Sequence, residues 1–184
     1  MGLVFKERAV SMEVTDLKQF IRSIPDWPKK GILFRDITPL LARPEAFGKA
    51  IELMIKGFEK EEVDFVAAVE ARGFIFGSAV AEKLGAGFVP IRKKGKLPYK
   101  TEQVTYDLEY GTDTLEVHRD AVFEGAGVLM VDDLLATGGT MEAACRLIEK
   151  IGGNVAGVSF LIELKELKGI NKLKDYKVRS VVRY

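Results

Sequence analysis

Short runs of β-branched apolar residues alternate with amphipathic stretches of helix length, and this alternation restricts the fold more than any other feature of the sequence. The predicted strands are Val63–Val69, Ala86–Ile91, Gly127–Val131, Asn154–Ile162 and Val178–Val182. The predicted helices lie near Glu13–Arg22, Glu45–Glu59, Phe74–Leu84 and Thr140–Ile151. Alternating strands and helices build a mainly parallel, twisted sheet with helices on its faces. We therefore predict an α/β fold.

Length and charge restrict the class of protein further. A chain of 184 residues with 47% apolar content can bury one substantial core, so we predict a single domain over residues 1–184. Its 28 basic and 27 acidic residues nearly cancel, which argues against nucleic acid or a membrane surface as a partner. Cys145 is the only cysteine, so an intramolecular disulfide is excluded and a cytoplasmic location is expected.

One stretch interrupts the periodic pattern. Between residues 92 and 113 a basic run is broken by Gly95 and Pro98. Long connections without periodic structure are uncommon in compact domains and are often lids or binding loops. We predict a flexible lid over about residues 92–113, called the lid segment below.

The most informative motif combines two acids with a turn rich in glycine and threonine. Asp132 and Asp133 follow the strand predicted to end at Val131, and a Thr-Gly-Gly-Thr turn at 137–140 leads into a predicted helix. Ligands of open α/β sheets bind at the carboxyl ends of strands, where the N–H groups of a helix N-terminus bind anions. Hydroxyls and close backbone suit a phosphate, and the acids can accept hydrogen bonds from ribose hydroxyls. The motif predicts a sugar-phosphate site, although a strand end with an ordinary helix cap is the alternative.

A second loop has the same arrangement. Residues 70–74, Glu-Ala-Arg-Gly-Phe, join a predicted strand to a predicted helix. Arg72 can offer a forked guanidinium to phosphate oxygens, and Gly73 allows a tight turn beside them. A solvated turn is the alternative. The chain has neither the P-loop nor the dinucleotide-binding glycine pattern, which disfavours a nucleoside triphosphatase or a dehydrogenase.

The segment from Val131 to Thr140 resembles the signature of type I phosphoribosyltransferases, which bind 5-phosphoribosyl-1-pyrophosphate (PRPP). The resemblance implies the type I phosphoribosyltransferase fold with a small N-terminal hood over about residues 1–40. It implies Mg²⁺ bound through PRPP and pyrophosphate, with no metal site made by the protein alone. For the ribose and its phosphate it implies contacts from Asp132, Asp133, Ala136, Thr137, Gly138, Gly139 and Thr140. For the pyrophosphate it implies Arg72 and the lid residues Lys96 and Lys100, although solvated lysines are the alternative.

Three further stretches resemble the branch of that family that uses adenine. They are Pro28–Pro39, Gly95–Pro98 and Tyr106–Gly111, the last followed by Leu115 and Glu116. The resemblance implies that adenine is contacted by Leu33, Phe34, Arg35 and Leu164, and that Glu109 handles its proton. Related hypoxanthine and guanine enzymes often carry an acid where this chain has Ala136. Ordinary core or solvated positions remain the alternative for these residues.

The sequence predicts one reaction and leaves two alternative functions open. We expect transfer of the phosphoribosyl group of PRPP to adenine, giving AMP and pyrophosphate in purine salvage, by a homodimer. The rivals are the same transfer to a 6-oxopurine and a regulator that binds PRPP without turnover. Trp27, His118 and the charged stretch Lys165–Lys174 are interpreted as packing or solvated residues, outside the site.

Overall fold

The computed structural model describes residues 17–107 and 111–184. Residues up to Ala50 form one compact unit, and Ile51–Tyr184 form a second. The single domain expected from the sequence stays a prediction. Within the two described ranges, no helix has both the length and the apolar composition needed to cross a bilayer.

The first unit is built on a small antiparallel hairpin. Strand β1 (Arg22–Pro25) pairs with β2 (Leu33–Asp36), and the short helix α1 (Thr38–Leu41) follows. Helix α2 (Pro44–Ile55) begins in this unit. The carboxylate of Asp36 accepts hydrogen bonds from the backbone N–H and the hydroxyl of Thr38, both at 2.9 Å, which satisfies donors at the start of α1.

The helix predicted near Glu13–Arg22 can be compared with the structure only from Leu17 onward, because residues 13–16 lie outside the described residues. Leu17 is α-helical, a 3-10 turn follows at Lys18–Phe20, and β1 begins at Arg22. The predicted end of the helix is therefore wrong. Pairing between the backbones of Arg22 and Asp36 outweighs the local periodicity, because tertiary context overrides a weak helix propensity.

The second unit contains a seven-stranded sheet in the order β5-β6-β4-β3-β7-β8-β9. Its parallel strands are β3 (Phe65–Val69), β4 (Gly87–Lys93), β7 (Gly127–Leu135), β8 (Asn154–Glu163) and β9 (Val178–Arg183). The antiparallel strands at one edge are β5 (Thr101–Asp107) and β6 (Thr112–His118). Helix α3 (Arg72–Leu84) follows β3, and α4 (Gly139–Lys150) follows β7. The predicted mainly parallel α/β sheet is confirmed.

Apolar side chains cover the central strands on both faces, as a parallel sheet requires. Val66, Leu129 and Met130 are fully buried. The buried residues of α4 include Met141, Ala144 and Leu147, whose spacing gives the helix one apolar face. Burying a side chain of this size contributes about 1.5–3 kcal/mol relative to leaving it exposed. This core fixes the carboxyl ends of β3 and β7, where both predicted ligand loops begin.

The lid segment is more regular than the sequence predicts. It contains the end of β4, all of β5 and the start of β6, and β5 and β6 pair from Thr101 with His118 to Asp107 with Thr112. From Gln103 to Asp107, the residues of β5 alternate between polar and apolar, a pattern typical of a half-exposed strand at a sheet edge. The basic run that precedes β5 obscures this pattern in the sequence. The alternation of polar and apolar residues over Leu115–Arg119 predicts a strand, and β6 confirms it as far as His118.

Candidate functional site

A cleft of about 340 Å³ opens at the carboxyl ends of β3 and β7. The loop after β3 lines it through Glu70, Ala71 and Arg72, and the end of β7 lines it through Asp132 and Asp133. Ala136, Thr137, Gly138 and Thr140, from the turn that follows, complete this side. The structure thus brings together the two loops that the sequence singled out.

An ion pair joins the two sides of the cleft. The Nε atom of Arg72 donates to Oδ2 of Asp133 at 2.8 Å, with 42% of the arginine side chain and 8% of the aspartate side chain exposed. Burial raises the pKa of Asp133, and the nearby Arg72 charge does not fully offset it. Arg72 is the first residue of α3, so the backbone of that helix fixes its position.

Asp132 has a different environment from its neighbour. Burial, followed by the negative charge of Asp133, raises the pKa of Asp132 well above its usual range. Its Oδ1 atom accepts a hydrogen bond from the backbone N–H of Asp133 at 2.9 Å. A carboxyl group that retains its proton can both donate and accept hydrogen bonds, which suits a sugar hydroxyl.

Both acids lie inside a strand, whereas the sequence placed them after it. The predicted strand ends at Val131, but β7 continues to Leu135 because Asp132 pairs with Phe160 and Leu135 pairs with Glu163 of β8. Gly73 allows the facing loop to approach, since a Cβ atom there would lie 2.7 Å from Oδ1 of Asp132. A side chain at this position would push the loop away from the acids.

The turn at residues 137–140, called the phosphate loop below, leads into helix α4. Gly138 in this turn has a left-handed backbone conformation. Its φ is +82°, a conformation that glycine adopts without steric cost, and it caps α4. The N–H groups of the first turn of α4 are unpaired within the helix and face outward from its N-terminus. Gly139 is buried as the first helical residue, and the Thr140 hydroxyl lies 3.3 Å from the Tyr106 hydroxyl of β5.

Two of the three predicted lid residues, Lys96 and Lys100, belong to the described residues. Lys96 and Lys100 lie exposed on the turn between β4 and β5, and neither lines the cleft as the described residues form it. Glu109 lies outside the described residues. Its predicted role in proton transfer therefore stays a prediction.

The residues predicted to contact adenine are divided between the two units of the chain. Leu33, Phe34 and Arg35 lie on β2 of the first unit. Phe34 packs edge-on against Trp27, with ring centroids 4.3 Å apart, and Nη1 of Arg35 donates to the Ser23 hydroxyl at 2.5 Å. Leu164 belongs to the second unit and follows β8. Its N–H donates to the carbonyl of Leu135, a residue that lines the cleft, at 2.9 Å.

No group of three or more histidine, cysteine, aspartate or glutamate side chains in the described ranges is arranged to hold a metal ion. The carboxylates that line the cleft are those of Glu70, Asp132 and Asp133; Glu70 pairs with Arg92, and Asp133 pairs with Arg72. These donors fit a cation that arrives on phosphate oxygens and takes at most a few protein ligands. Ala136 lines the cleft without adding a carboxylate.

Comparisons with known proteins agree with this geometry. Residues 36–182 match the phosphoribosyl transferase domain family. Adenine phosphoribosyltransferase from Pseudothermotoga lettingae is 54% identical over 169 residues, which cover 92% of this chain and 99% of that protein. The chain belongs to the adenine phosphoribosyltransferase family.

Solved structures of the adenine phosphoribosyltransferase family share the fold. The enzyme from Thermoanaerobacter pseudethanolicus superposes with a TM-score of 0.90 at 52% identity, covering 93% of this chain and 99% of that one. The Saccharomyces cerevisiae enzyme, solved with an iminoaltritol bisphosphate and adenine, gives a TM-score of 0.87 at 38% identity, with coverages of 91% and 97%. The type I phosphoribosyltransferase fold predicted from the sequence is confirmed.

Sequence reasoning missed several residues that this adenine phosphoribosyltransferase fold places beside the site. Glu70 lines the cleft, although the sequence analysis assigns it no role. The stretch Lys165–Lys174 was interpreted as a solvated connection, yet a Cβ atom on Gly138 would overlap the carbonyl oxygen of Gly169. Leu173 is 1% exposed and anchors this stretch in the core. A glycine followed four residues later by an apolar residue was the available signal.

Proposed function

We propose that this chain transfers the 5-phosphoribosyl group of PRPP to adenine, releasing AMP and pyrophosphate, as the salvage enzymes of its family do. The observation that carries the proposal is the cleft in which Arg72, the two acids and the phosphate loop meet. In the reaction the bond between C1 of the ribose and the pyrophosphate oxygen breaks. A bond from N9 of adenine to C1 forms, and one proton leaves the base.

The ribose 5-phosphate half of PRPP occupies the β7 side of the cleft. Asp132 and Asp133 accept hydrogen bonds from the two ribose hydroxyls. The backbone N–H groups of Gly138, Gly139 and Thr140 bind the 5′-phosphate, since a helix N-terminus stabilises an anion. The hydroxyls of Thr137 and Thr140 add donors, and Ala136 forms the neutral start of the loop.

The pyrophosphate half is held by cations from the other side. Arg72, Lys96 and Lys100 bind the leaving group, and its developing charge is stabilised as the ribose gains oxocarbenium character. Mg²⁺ bound through PRPP would neutralise part of the pyrophosphate charge, with no metal site made by the protein alone. The lid segment excludes water, which would otherwise attack the activated ribose.

The base is recognised by apolar contact and by proton handling. Leu33, Phe34 and Arg35 contact adenine on the basis of the resemblance of Pro28–Pro39 to adenine-using enzymes, and Leu164 packs against it. Glu109 acts as the general acid–base group for the purine nitrogen. Ala136 keeps a carboxylate away from the base, which favours adenine over a 6-oxopurine.

The protein acts in the cytoplasm as a homodimer in this proposal. A reducing compartment fits its one cysteine, which is buried and unpaired. The dimer rests on the family resemblance. Sedimentation equilibrium checks it, and the mass of a single chain at micromolar concentration would contradict it.

Product formation tests the function itself. Purified protein is incubated with PRPP, Mg²⁺ and adenine, and AMP and pyrophosphate are quantified separately. Equal amounts of both products are expected. Binding of PRPP without either product would contradict the use of adenine and leave a 6-oxopurine enzyme or a PRPP-binding regulator. Absence of PRPP binding would contradict all three functions.

A further inference from the structure

Glu116 is a buried carboxylate for which the proposed reaction has no use. It lies on β6 and is 2% exposed. Its Oε1 atom accepts hydrogen bonds from the backbone N–H groups of Lys96 and Leu97, both at 3.0 Å, and Gln103 approaches Oε2 at 3.4 Å. Burying a carboxylate costs free energy unless hydrogen bonds compensate it, so this group stabilises one conformation of the turn.

The ionised form of Glu116 makes these bonds strong. Burial raises the pKa of Glu116, but hydrogen bonds from the backbone N–H groups of Leu97, Gly95 and Lys96 outweigh burial and bring the pKa below its usual range. Hydrogen bonds to an ionised acceptor are shorter and stronger than those between neutral groups. The carboxylate therefore holds the backbone of Lys96 and Leu97 at neutral pH.

Arg92 ties the same turn to the loop that carries Arg72. Its Nε and Nη2 atoms donate to Oε2 of Glu70 at 3.2 and 3.0 Å, and its Nη1 donates to the carbonyl of Lys96 at 3.1 Å. Glu70 also accepts the backbone N–H of Lys93 through Oε1 at 2.7 Å. Since Glu70 precedes Arg72 by two residues, one hydrogen-bonded chain runs from Glu116 through the Lys96 turn and Arg92 to the cleft.

We propose that Glu116 and Arg92 are positioning residues that hold the turn of Lys96 in register with the Arg72 loop, so that both cations reach one pyrophosphate. This inference rests on the proposed function. A lysine side chain is flexible, so the positions that its ammonium group can reach depend on where its backbone is fixed. Displacements of about 1 Å at a reacting centre can cost as much as 100-fold in rate.

The affinity for pyrophosphate and the affinity for AMP depend on different parts of the site. Pyrophosphate affinity depends on the Lys96 turn, whereas AMP carries no pyrophosphate and binds through the phosphate loop and the acids. A purely structural role for Glu116 would weaken both products together. The reverse reaction, in which AMP and pyrophosphate form PRPP and release adenine, measures both affinities in one protein.

The experiment compares Glu116→Ala and Glu116→Gln with wild type and with the control Glu102→Gln. Glu102 is on the same hairpin but pairs with Arg119 and Lys150, away from the Lys96 turn. Glu116→Ala is expected to raise the KM for pyrophosphate about tenfold, as for a lost charge-assisted hydrogen bond. Glu116→Gln, which keeps an acceptor oxygen, is expected to fall between wild type and Glu116→Ala. The Kd of AMP, from calorimetry, stays within about twofold of wild type in both.

A double-mutant cycle with Lys96→Ala shows whether Glu116 acts through Lys96. In the Lys96→Ala background, the effect of Glu116→Ala on the KM for pyrophosphate is expected to disappear, because coupled residues are not additive. Additive effects, an unchanged KM in Glu116→Ala, or an equal loss of AMP affinity would each overturn the inference. If Lys96→Ala alone changes nothing, the pyrophosphate role of Lys96 in the proposed function fails instead. Absence of product in wild type would remove the proposed function as a whole.

Discussion

The Nε atom of Arg72 lies 2.8 Å from Oδ2 of Asp133, so an ion pair connects the loop after β3 with the acids of β7. Asp133 is 6% exposed, and a buried carboxylate of this kind depends on its cationic partner. PRPP must meet both groups at once, because its ribose hydroxyls and its pyrophosphate are attached to neighbouring carbons. The pair therefore sets the spacing between two halves of the substrate site.

Replacement of this acid is expected to weaken PRPP binding. Asp133→Asn removes a charged acceptor and the ion pair that this acid makes with Arg72, so the Kd of PRPP should rise about tenfold or more. Calorimetric titration with PRPP and Mg²⁺ measures the change. Asp120→Asn, an exposed aspartate on the same unit, is the matched control and should bind as wild type does. Wild-type affinity in Asp133→Asn would show that the ribose assignment is wrong.

Asp132 is expected to cost stability in the free protein. Its pKa is raised by burial, so the unfolded chain loses the proton at a lower pH than the folded chain does. Stability therefore falls as pH rises from the usual aspartate pKa through the raised one, and the penalty is complete above the latter. Asp132→Asn should stabilise the ligand-free protein by about 0.5–2 kcal/mol at neutral pH, with a smaller gain near pH 5.

Urea denaturation at about pH 5 and about pH 8 follows that difference. The same variant should bind PRPP more weakly, since a hydroxyl acceptor is lost. A variant that is less stable than wild type at the higher pH would contradict the burial argument.

Glu109 is predicted to act on the base and not on PRPP. Glu109→Leu should lower kcat by about 100- to 10,000-fold, the usual contribution of a general acid–base group, while the Kd of PRPP stays close to wild type. Steady-state turnover and calorimetry separate the two. Glu82→Leu, on the exposed side of α3, serves as the control. An unchanged kcat in Glu109→Leu removes this residue from the mechanism.

Gly138 is expected to tolerate no side chain. A Cβ atom there would overlap the carbonyl oxygen of Gly169, and its φ of +82° is unfavourable for other residues. Gly138→Ala should destabilise the protein by about 1–3 kcal/mol and weaken both PRPP and AMP binding. Gly48→Ala is the control, because a Cβ at Gly48 of α2 meets no atom within 4 Å. Equal stability of the two variants would contradict the close approach.

The central sheet could be predicted because its strands are buried on both faces and read as continuous apolar runs. Residues such as Val66 and Leu129 are apolar, and they are fully buried. The phosphate loop could be predicted because glycine, threonine and aspartate each have a chemical reason to follow such a strand. The end of β7 was missed by four residues, since Asp132 and Asp133 do not look like strand residues until pairing with β8 is known.

Features that depend on contacts distant in sequence could not be predicted. Strand β5 lies where the basic run favours an irregular lid, and its pairing with β6 shows that it is a strand. The environment of Glu116 is set by a turn 19 or 20 residues earlier in the chain, which no local pattern encodes. The contact between Gly138 and Gly169 is likewise invisible until the fold brings the two backbones together.

The choice of base tests the account most directly. Wild-type protein is assayed with PRPP and Mg²⁺ against adenine, hypoxanthine and guanine in parallel, and kcat/KM is determined for each. We expect adenine to be preferred by at least about 100-fold, because Ala136 provides no carboxylate for a 6-oxopurine. Faster turnover of either 6-oxopurine than of adenine would contradict the assignment.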